Sequence, residues 1–505
     1  MRRFLLQALQ ALAVATAWAS SQQSNGSHSD MVHDVQELGK RLSPEAMVIP
    51  PWSKHFDEAT ARWSTLAEPQ PNVVVLPATA EDAAKTVKFA HTRKVPFLTY
   101  NGVHGAITTL GNMDYGIELS VRNLTGVQVA PDGKTARIAG GTMSKTVTDA
   151  LWAAGKQTVT GTCECVSYIG PALGGGHGWL QGRHGLIADQ IEAMDVVLAD
   201  GSMQTLDRDS ALMWAMKGAG HNFAVVTSIT ARIYDIVHPN WASETIIFSG
   251  NKAEAVYRTA NQVLIRNGSQ PLDIQNWSYW LNQRSIDPDN PVIVFYILQE
   301  GVSEVDSSYT QPFHDLGPLS VFPKSGTYRD LAAWTGVSES SAPCQKNGNA
   351  HPRFPIYLQS YNPSAQQQAY DLYAAEAGPA SPFSASLFMF EGYPTEGVKA
   401  VDPASTAFAF REDNLLTAPL INYDPDASKT IIDKAARLGN DLREILKKGS
   451  GRDELHTYVN YAYGDETTRQ WYGYEDWRQE RLHQLKDQFD PTRKFRFFAP
   501  VEKTE

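Results

Sequence analysis

Cysteine and positive charge are both scarce in this chain, and each shortage excludes a class of protein. Three cysteines in 505 residues are too few for a scaffold held together by disulfides. The formal net charge is -11, from 44 basic and 55 acidic residues. Such an acidic balance argues against nucleic acid or an anionic membrane as a partner. The composition is 42% hydrophobic and 10% aromatic, which is typical of well-packed globular domains.

Long apolar runs are also absent, apart from one near the amino terminus. Arg2 and Arg3 precede a mostly apolar stretch from Phe4 to Val14, which is too short to span a bilayer. A small-x-small triplet ending at Ala19 then indicates a cleavage site. We therefore predict a signal peptide over residues 1–19 and a product that is secreted or held in the secretory-pathway lumen; the polar stretch that follows disfavours a buried N-terminal helix. Acceptor triplets for glycans begin at Asn25, Asn123, Asn267 and Asn276.

The cysteines are Cys163, Cys165 and Cys344, so at least one thiol stays outside any intramolecular disulfide. Cys163 and Cys165 are separated by one residue, which is poor geometry for a mutual bridge. A Cys165–Cys344 bridge is one alternative, and a buried inert thiol is the other for either partner. The remaining thiol needs burial, an intermolecular bridge or a bond to a cofactor.

Two glycine clusters stand out, at Asn101 to Gly105 and at Gly174 to Gly178. Glycine lets the backbone approach a ligand closely and exposes N–H groups to a pyrophosphate; ordinary tight turns are the alternative. Neither cluster has the Gly-x-Gly-x-x-Gly spacing of a dinucleotide fingerprint with an acidic residue downstream. A nicotinamide cofactor is therefore not expected.

His104 and Cys163 each place a nucleophilic side chain on a glycine-rich turn. This arrangement suits a large flat cofactor that is gripped by its phosphates and tethered through its ring. No second histidine or carboxylate stands at ligand spacing near His104, so we predict no metal. His177, His184 and His221 also lie near glycines, where a local hydrogen bond is the commoner role.

The chain is too long for a single core, and its pattern of predicted strands, helices and turns changes along its length. Residues 65–237 combine strands, helices and many turn glycines, with a capping box at Thr79 and Asp82 that predicts a helix start. Residues 238–450 read as antiparallel strands with helices between them, such as Ala365 to Ala377. Residues 451–500 become rich in aromatics and end in a predicted helix.

Several further motifs occur in a fixed order. In the chain they are Asn101 to Gly105, Gly161 to Cys163, Gly174 to Leu180, Arg183 to Asp189, Trp214 to Gly218, Asn222 to Thr227, Tyr458 to Tyr461, Trp471 to Gly473 and Asp490-Pro491. Together they resemble the PCMH-type, covalently flavinylated oxidoreductases of the berberine-bridge-enzyme-like group, especially fungal members associated with secondary metabolism. The resemblance covers nearly everything after the predicted signal peptide.

The resemblance implies an α+β fold. It places a two-subdomain PCMH-type FAD-binding domain at residues 65–237 and a substrate domain at 238–450, with an antiparallel sheet covered by helices. A berberine-bridge-like segment at 451–500 returns to the FAD domain. FAD is expected to be covalently linked through His104 to its 8α carbon, with Cys163 matching the position of a second link to C6.

The resemblance also carries over a set of site residues. Tyr458 matches a tyrosine that activates the substrate hydroxyl in some relatives, with packing or a hydrogen bond to flavin as its alternative. The residues expected to bind FAD are Asn101, Gly102, Val103, His104, Gly105, Gly161, Cys163, Gly174, Gly175, His177, Gly178, Val226, Asn460 and Tyr461. The chain departs from the family at Ala106, where the founding enzyme has a tyrosine. The stretch Leu415 to Asn422 has no titratable side chain, so no base is assigned there.

The expected activity is that of a two-electron flavin oxidase. It would take hydride from a secondary-metabolite alcohol, amine or polyketide intermediate and return the electrons to O2, acting as a monomer with no nucleic-acid or membrane partner. A carbohydrate oxidase is one alternative, because Trp277, Tyr279 and Trp280 suit sugar stacking or a core equally well. A flavin-binding protein that catalyses a non-redox cyclisation is the other, favoured by the lack of an obvious base.

Overall fold

Strands in the two halves of the chain are organised differently. A computed structural model describes residues 33–502, so the predicted signal peptide and Asn25 lie outside the described residues. The first half forms sheets of four, five and two strands, ordered β1-β2-β4-β3, β5-β6-β10-β8-β9 and β11-β7. The strands are β1 Met47–Ile49, β2 Val73–Leu76, β3 Phe97–Tyr100, β4 Ile117–Ser120, β5 Val127–Val129, β6 Thr135–Ala139, β7 Lys156–Gln157, β8 Ile191–Val197, β9 Met203–Leu206, β10 Val225–Arg232 and β11 Tyr234–Asp235.

Helices of the first half pack around these sheets. They are Phe56–Thr60, Ala80–Arg93, Ser144–Ala153, Ile169–Leu173, Gln181–His184 and Ala211–Ala219. The predicted capping box is confirmed, because Thr79 accepts a hydrogen bond from the backbone N–H of Asp82 and the Asp82 carboxylate accepts one from that of Thr79. β2, β3 and β4 run parallel, which brings the loop after β3 to the edge of the sheet.

The second half contains one seven-stranded antiparallel sheet, ordered β15-β12-β14-β13-β17-β18-β16. Its strands are β12 Asn240–Ser249, β13 Ile274–Leu281, β14 Val292–Glu300, β15 Ser320–Thr327, β16 Ile356–Leu358, β17 Leu387–Gly392 and β18 Leu415–Leu420. The helices that follow or interrupt it are Ala253–Ala260, Ser307–His314, Leu331–Trp334, Pro363–Ala377, Glu396–Lys399, Lys429–Ser450, Thr468–Tyr472 and Asp476–Phe489. The α+β fold class is confirmed, and no helix within residues 33–502 is both long and apolar enough to cross a bilayer.

The two faces of this large sheet have different neighbours because side chains alternate along each strand. On β13, Trp280 is buried with Phe388 in the core beneath the helices. Trp277 and Tyr279 face the other way and line a cavity. Burial excludes one of the acceptor triplets, because Asn276 is 0% exposed and cannot carry a glycan in the folded protein.

A buried ion pair joins the two halves. The Arg411 guanidinium donates to both carboxylate oxygens of Asp189 at 3.0 and 2.8 Å, and both side chains are at most 3% exposed. A buried charge that loses its partner is costly, because neither water nor another charge compensates it.

Arg411→Met is therefore expected to lower the free energy of unfolding by about 3–5 kcal/mol. Asp189→Asn should act through the same pair, so the double variant should lose less than the sum of the single losses. Urea unfolding followed by tryptophan fluorescence measures all three. In the control Lys429→Met, which removes an exposed pair with Asp433, the loss should stay within about 0.5 kcal/mol. Strictly additive losses at Arg411 and Asp189 would contradict the coupling.

Candidate active site

A cavity of about 700 Å³ lies between the glycine loops of the first half and the open face of the large sheet. Its volume is within the range of about 300–1,000 Å³ that is typical of small-molecule and cofactor sites. The loops after β3 and β7 form one wall, and β13 and β17 contribute to the other. The C-terminal segment around Tyr458 closes a third side.

The loop from Asn101 to Gly105 is held very close to its neighbour. A Cβ added to Gly102 would lie 2.7 Å from the backbone N of Ser167, so a side chain would push the two loops apart. The backbone N–H groups of Gly102 to Gly105 donate to no other group in residues 33–502. The amide oxygen of Asn101 is likewise buried without a hydrogen-bond partner. The loop therefore offers unpaired polar groups to a ligand.

His104 is at the end of this loop and lines the cavity. Its ring stacks on that of Trp63, with 5.2 Å between centroids. Burial and the nearby Arg353 cation lower the pKa of His104 to about 3, because both disfavour the imidazolium. The imidazole is therefore neutral at physiological pH and keeps a nucleophilic lone pair.

Three sulfur atoms lie beside His104. Cys165 and Cys344 form a disulfide with a Cα–Cα distance of 5.7 Å, so of the two alternatives for these cysteines the structure has the bridge. Cys163 is the free thiol among the described residues, 3.5 Å from the sulfur of Cys165 and 3.7 Å from that of Cys344. Its sulfur lies within 4.8 Å of a ring nitrogen of His104, so the two predicted attachment residues reach the same point of the cavity. Burial raises the pKa of Cys163 to about 11.

Most predicted cofactor-binding residues meet at this cavity. Those in its lining are Asn101, Gly102, Val103, His104, Gly105, Gly161, Cys163, His177, Val226, Asn460 and Tyr461, and the predicted catalytic residue Tyr458 lies there too. Gly174, Gly175 and Gly178 are not part of the lining. The structure therefore brings the two loops, His177 and the C-terminal motif together, but Gly174, Gly175 and Gly178 of the second glycine cluster lie outside the lining.

Close packing accounts for the glycines of that second cluster. A Cβ on Gly178 would lie 2.1 Å from the carbonyl oxygen of Thr160. Gly174 packs against Asn460 and Gly175 against Phe408. The N–H groups of Gly174 and Gly175 already donate to backbone carbonyls of the preceding turn. These amides are therefore not free to bind a phosphate, and the predicted contact of Gly174, Gly175 and Gly178 with FAD gains no support.

Tyr458 lies inside the cavity wall in a network of neutral partners. Its hydroxyl oxygen accepts hydrogen bonds from the amide of Asn460 at 2.8 Å and the backbone N–H of His177 at 3.4 Å. Burial raises the pKa of Tyr458 above its ordinary value. Burial also lowers the pKa of His177 to about 4, so no charged histidine stabilises a tyrosinate here.

A carboxyl group that the sequence did not reveal lies in the same cavity. Glu391 is on β17, directly opposite Leu416 of the strand where no titratable residue was found. It is 1% exposed and accepts hydrogen bonds from the hydroxyls of Tyr393 at 2.6 Å and Tyr461 at 2.9 Å. Burial raises the pKa of Glu391 to about 7, although both tyrosines and the Arg353 cation oppose this shift. In the sequence, Glu391 could have been recognised as an acidic residue within the otherwise apolar run from Leu387 to Gly392.

Arg353 and Trp63 are two further cavity residues that the sequence did not indicate. The Arg353 guanidinium lies 4.5 Å from the ring centre of Trp63 and 4.4 Å from that of Tyr461. Trp63 also stacks on His351 at 4.4 Å. Both residues come from segments without a recognisable motif, so only the fold places them at the site.

The cavity residues fit FAD on the evidence of their own chemistry. The loop from Gly102 to Gly105 has unpaired N–H groups suited to a diphosphate. A neutral imidazole and a free thiol lie together at one end. Apolar and aromatic side chains such as Leu387 and Trp277 line the remaining walls, as a flat ring system requires.

Known proteins support the same assignment. Residues 71–207 match the FAD binding domain family, and residues 457–502 match the berberine and berberine-like family. The FAD-linked oxidoreductase chyH of Penicillium rubens is 53% identical over 98% of this chain and 99% of its own length.

Solved structures show the same fold at lower identity. BBE-like 1 from Physcomitrella patens has a TM-score of 0.77 at 20% identity, covering 93% of this chain and 99% of its own. A glucooligosaccharide oxidase from Acremonium strictum, described with a 6-S-cysteinyl, 8α-N1-histidyl FAD, has a TM-score of 0.76 at 18% identity and covers 92% and 98% of the two chains. The chain therefore belongs to the berberine-bridge-enzyme-like family of FAD-linked oxidoreductases.

Proposed function

We propose that this oxidoreductase is a secreted oxidase of a small organic substrate, a secondary-metabolite alcohol, amine or polyketide intermediate, with O2 as the electron acceptor. When bound, FAD accepts a hydride from a substrate carbon and passes the electron pair to dioxygen. The observation that carries the proposal is the meeting of His104, Cys163 and the Glu391–Tyr461 pair around one cavity. Residues 65–237 and 451–500 would hold the cofactor, and 238–450 the substrate.

His104 is the residue we assign to the first covalent link. Its imidazole is neutral because burial lowers its pKa to about 3, and a neutral ring nitrogen is the form that bonds to carbon. Cys163 is the candidate for the second link, since its thiol is free and close to the imidazole. Its raised pKa, about 11, favours the thiol over the thiolate.

Removal of the substrate proton is assigned to Glu391 acting with Tyr461. The Tyr461 hydroxyl donates to Glu391 at 2.9 Å, so a proton taken by the tyrosine can pass to the carboxylate. A carboxyl pKa of about 7 lies where a general base works best near neutral pH. Tyr458 has no carboxylate partner in residues 33–502, and we assign its hydroxyl to substrate positioning beside Asn460.

The Glu391 carboxyl also bears on the two alternative functions. A non-redox cyclisation was favoured by the absence of an obvious base, and the assignment of Glu391 as the base removes that argument. A carbohydrate oxidase gains support from Trp277 and Tyr279, which line the cavity, but not from Trp280, which is buried on the opposite face of the sheet. Peroxide detection with mono- and oligosaccharides distinguishes this candidate from an oxidase of secondary metabolites.

Acid-precipitated protein is expected to stay yellow, with flavin mass on tryptic peptides containing His104 and Cys163. Cys163→Ser should keep flavin on the His104 peptide alone, and His104→Ala should leave only the Cys163 link. The double variant should release all flavin into the supernatant. Mass spectrometry and the visible spectrum of the peptides measure this, and wild-type protein without flavin on the His104 peptide would refute the assignment.

Glu391→Gln is expected to lower kcat by about 100- to 10,000-fold, the usual contribution of a general base. In the wild type the base must be ionised, so kcat/KM should rise with pH up to about 7, the pKa of Glu391, and then level off. The variant should lose this rise. The assay is peroxide release over a pH series with the panel compound that turns over fastest.

Glu118→Gln is the matched control for this experiment. Glu118 is another buried carboxyl, 1% exposed, and burial raises its pKa to about 8, but it does not line the cavity. Its loss should leave the pH profile unchanged. A Glu391→Gln enzyme that keeps the wild-type rise near pH 7 would exclude Glu391 as the base.

A further inference from the structure

Arg353 differs from the buried residues Arg411 and Arg443 in having no ionic partner among the described residues. Arg411 and Arg443 each donate to a carboxylate at 2.8 Å. Arg353 lines the cavity and forms no ion pair within residues 33–502. Its Nε is buried and has no hydrogen-bond partner. A buried donor without a partner is costly, so this guanidinium has an unused capacity to bind an anion.

Two aromatic rings hold the guanidinium in place. Its central carbon lies over the rings of Trp63 and Tyr461 at 4.5 and 4.4 Å. Stacking of this kind uses the face of the guanidinium and leaves its N–H donors, which lie in the plane, free to form hydrogen bonds. The cation is therefore fixed in position without being neutralised.

The surrounding wall combines positive charge with apolar surface. Among the described residues that line the cavity, the charged groups are three guanidiniums, of Arg62, Arg353 and Arg496, and one carboxyl, of Glu391. Arg62 already donates to the carbonyl oxygen of Gly105. Leu387, Met389 and Leu420 supply apolar surface.

We propose that Arg353 binds a carboxylate of the substrate, so that the site acts on organic acids with an apolar body. The fork of N–H donors on a guanidinium matches the two oxygens of a carboxylate. Tyr461 connects this anchor to the chemistry, because its ring lies under Arg353 while its hydroxyl donates to Glu391. The reaction at the anchored acid rests on the proposed function, whereas the binding itself does not.

This assignment also disfavours neutral substrates. A neutral sugar or alcohol in the cavity would cover the Arg353 cation without pairing it, and a desolvated unpaired charge lowers affinity. An acid of similar size gains a charge-assisted hydrogen bond in the same place. The guanidinium thus selects by charge, while the apolar wall selects by shape.

Calorimetric titration of the purified holoprotein with benzoate, and with benzamide as its neutral counterpart, tests the proposal. Arg353→Gln should weaken benzoate binding at least about tenfold, as expected for a lost hydrogen bond between charged groups. It should change benzamide binding less than about twofold, because a neutral amide loses no ion pair. Arg353→Lys keeps the charge but not the fork and should lie between the two. Arg266→Gln is the matched control, since it removes an exposed arginine stacked on Tyr309, remote from the cavity lining.

The outcomes separate the anchor from other roles of Arg353. Benzoate binding that is undetectable in the wild type, or unchanged in Arg353→Gln, would overturn the proposal. An equal loss for benzoate and benzamide would show a purely structural role, and unfolding midpoints of each variant identify that case. A drop in visible flavin absorbance per chain in Arg353→Gln would assign the cation to FAD instead. Because binding is measured without turnover, an inactive protein that binds benzoate through Arg353 would refute the oxidase proposal and leave the anchor intact.

Discussion

Exclusion of water from the cavity wall is the constraint on which the chemistry of this protein depends. Burial lowers the pKa of His104 to about 3 and raises that of Glu391 to about 7, because charged forms are poorly solvated there. One physical effect therefore keeps an imidazole neutral and brings a carboxyl group into the pH range where it can exchange a proton. On an exposed surface the same side chains would titrate at about 6.5 and 4.3, so burial moves both pKa values well away from their ordinary values.

The wall that excludes water is assembled from distant parts of the chain by close backbone contact and one covalent link. The Cys165–Cys344 disulfide spans 179 residues and ties the loop that follows Trp334 to the glycine-rich turn of the first half. Because Gly102 has no Cβ, the loop that contains Ser167 can lie where a side chain would otherwise be. Because Cys165 and Cys344 bond to each other, Cys163 is left as a free thiol beside His104.

Local patterns predicted the parts of this site that depend on local structure. The helix that begins after Thr79 and the glycine-rich loop around His104 were both predicted from caps and turn residues. The role of Glu391 could not be predicted in this way. It depends on strand pairing that places β17 beside β18, which is a contact between residues far apart in sequence. The Gly174 to Gly178 cluster was predicted to contact FAD, with ordinary tight turns as the alternative, because glycine suits ligand contact and tight packing equally well. The carbonyl oxygen of Thr160 leaves no room for a side chain at Gly178, whereas the contact with FAD stays a prediction.

The two arginines Arg411 and Arg353 show how the fold gives one residue type opposite roles. Arg411 is enclosed with Asp189, so its charge is already paired and serves to join the two halves of the chain. Arg353 is held by the π-faces of Trp63 and Tyr461, which fix its position but do not cancel its charge. A cation that is fixed in position without a counter-ion has lost part of its hydration and gained no ion pair. An anion that binds beside it supplies that missing interaction. Its place beside the Tyr461–Glu391 pair therefore makes charge a selection criterion at the same point where the proton is removed.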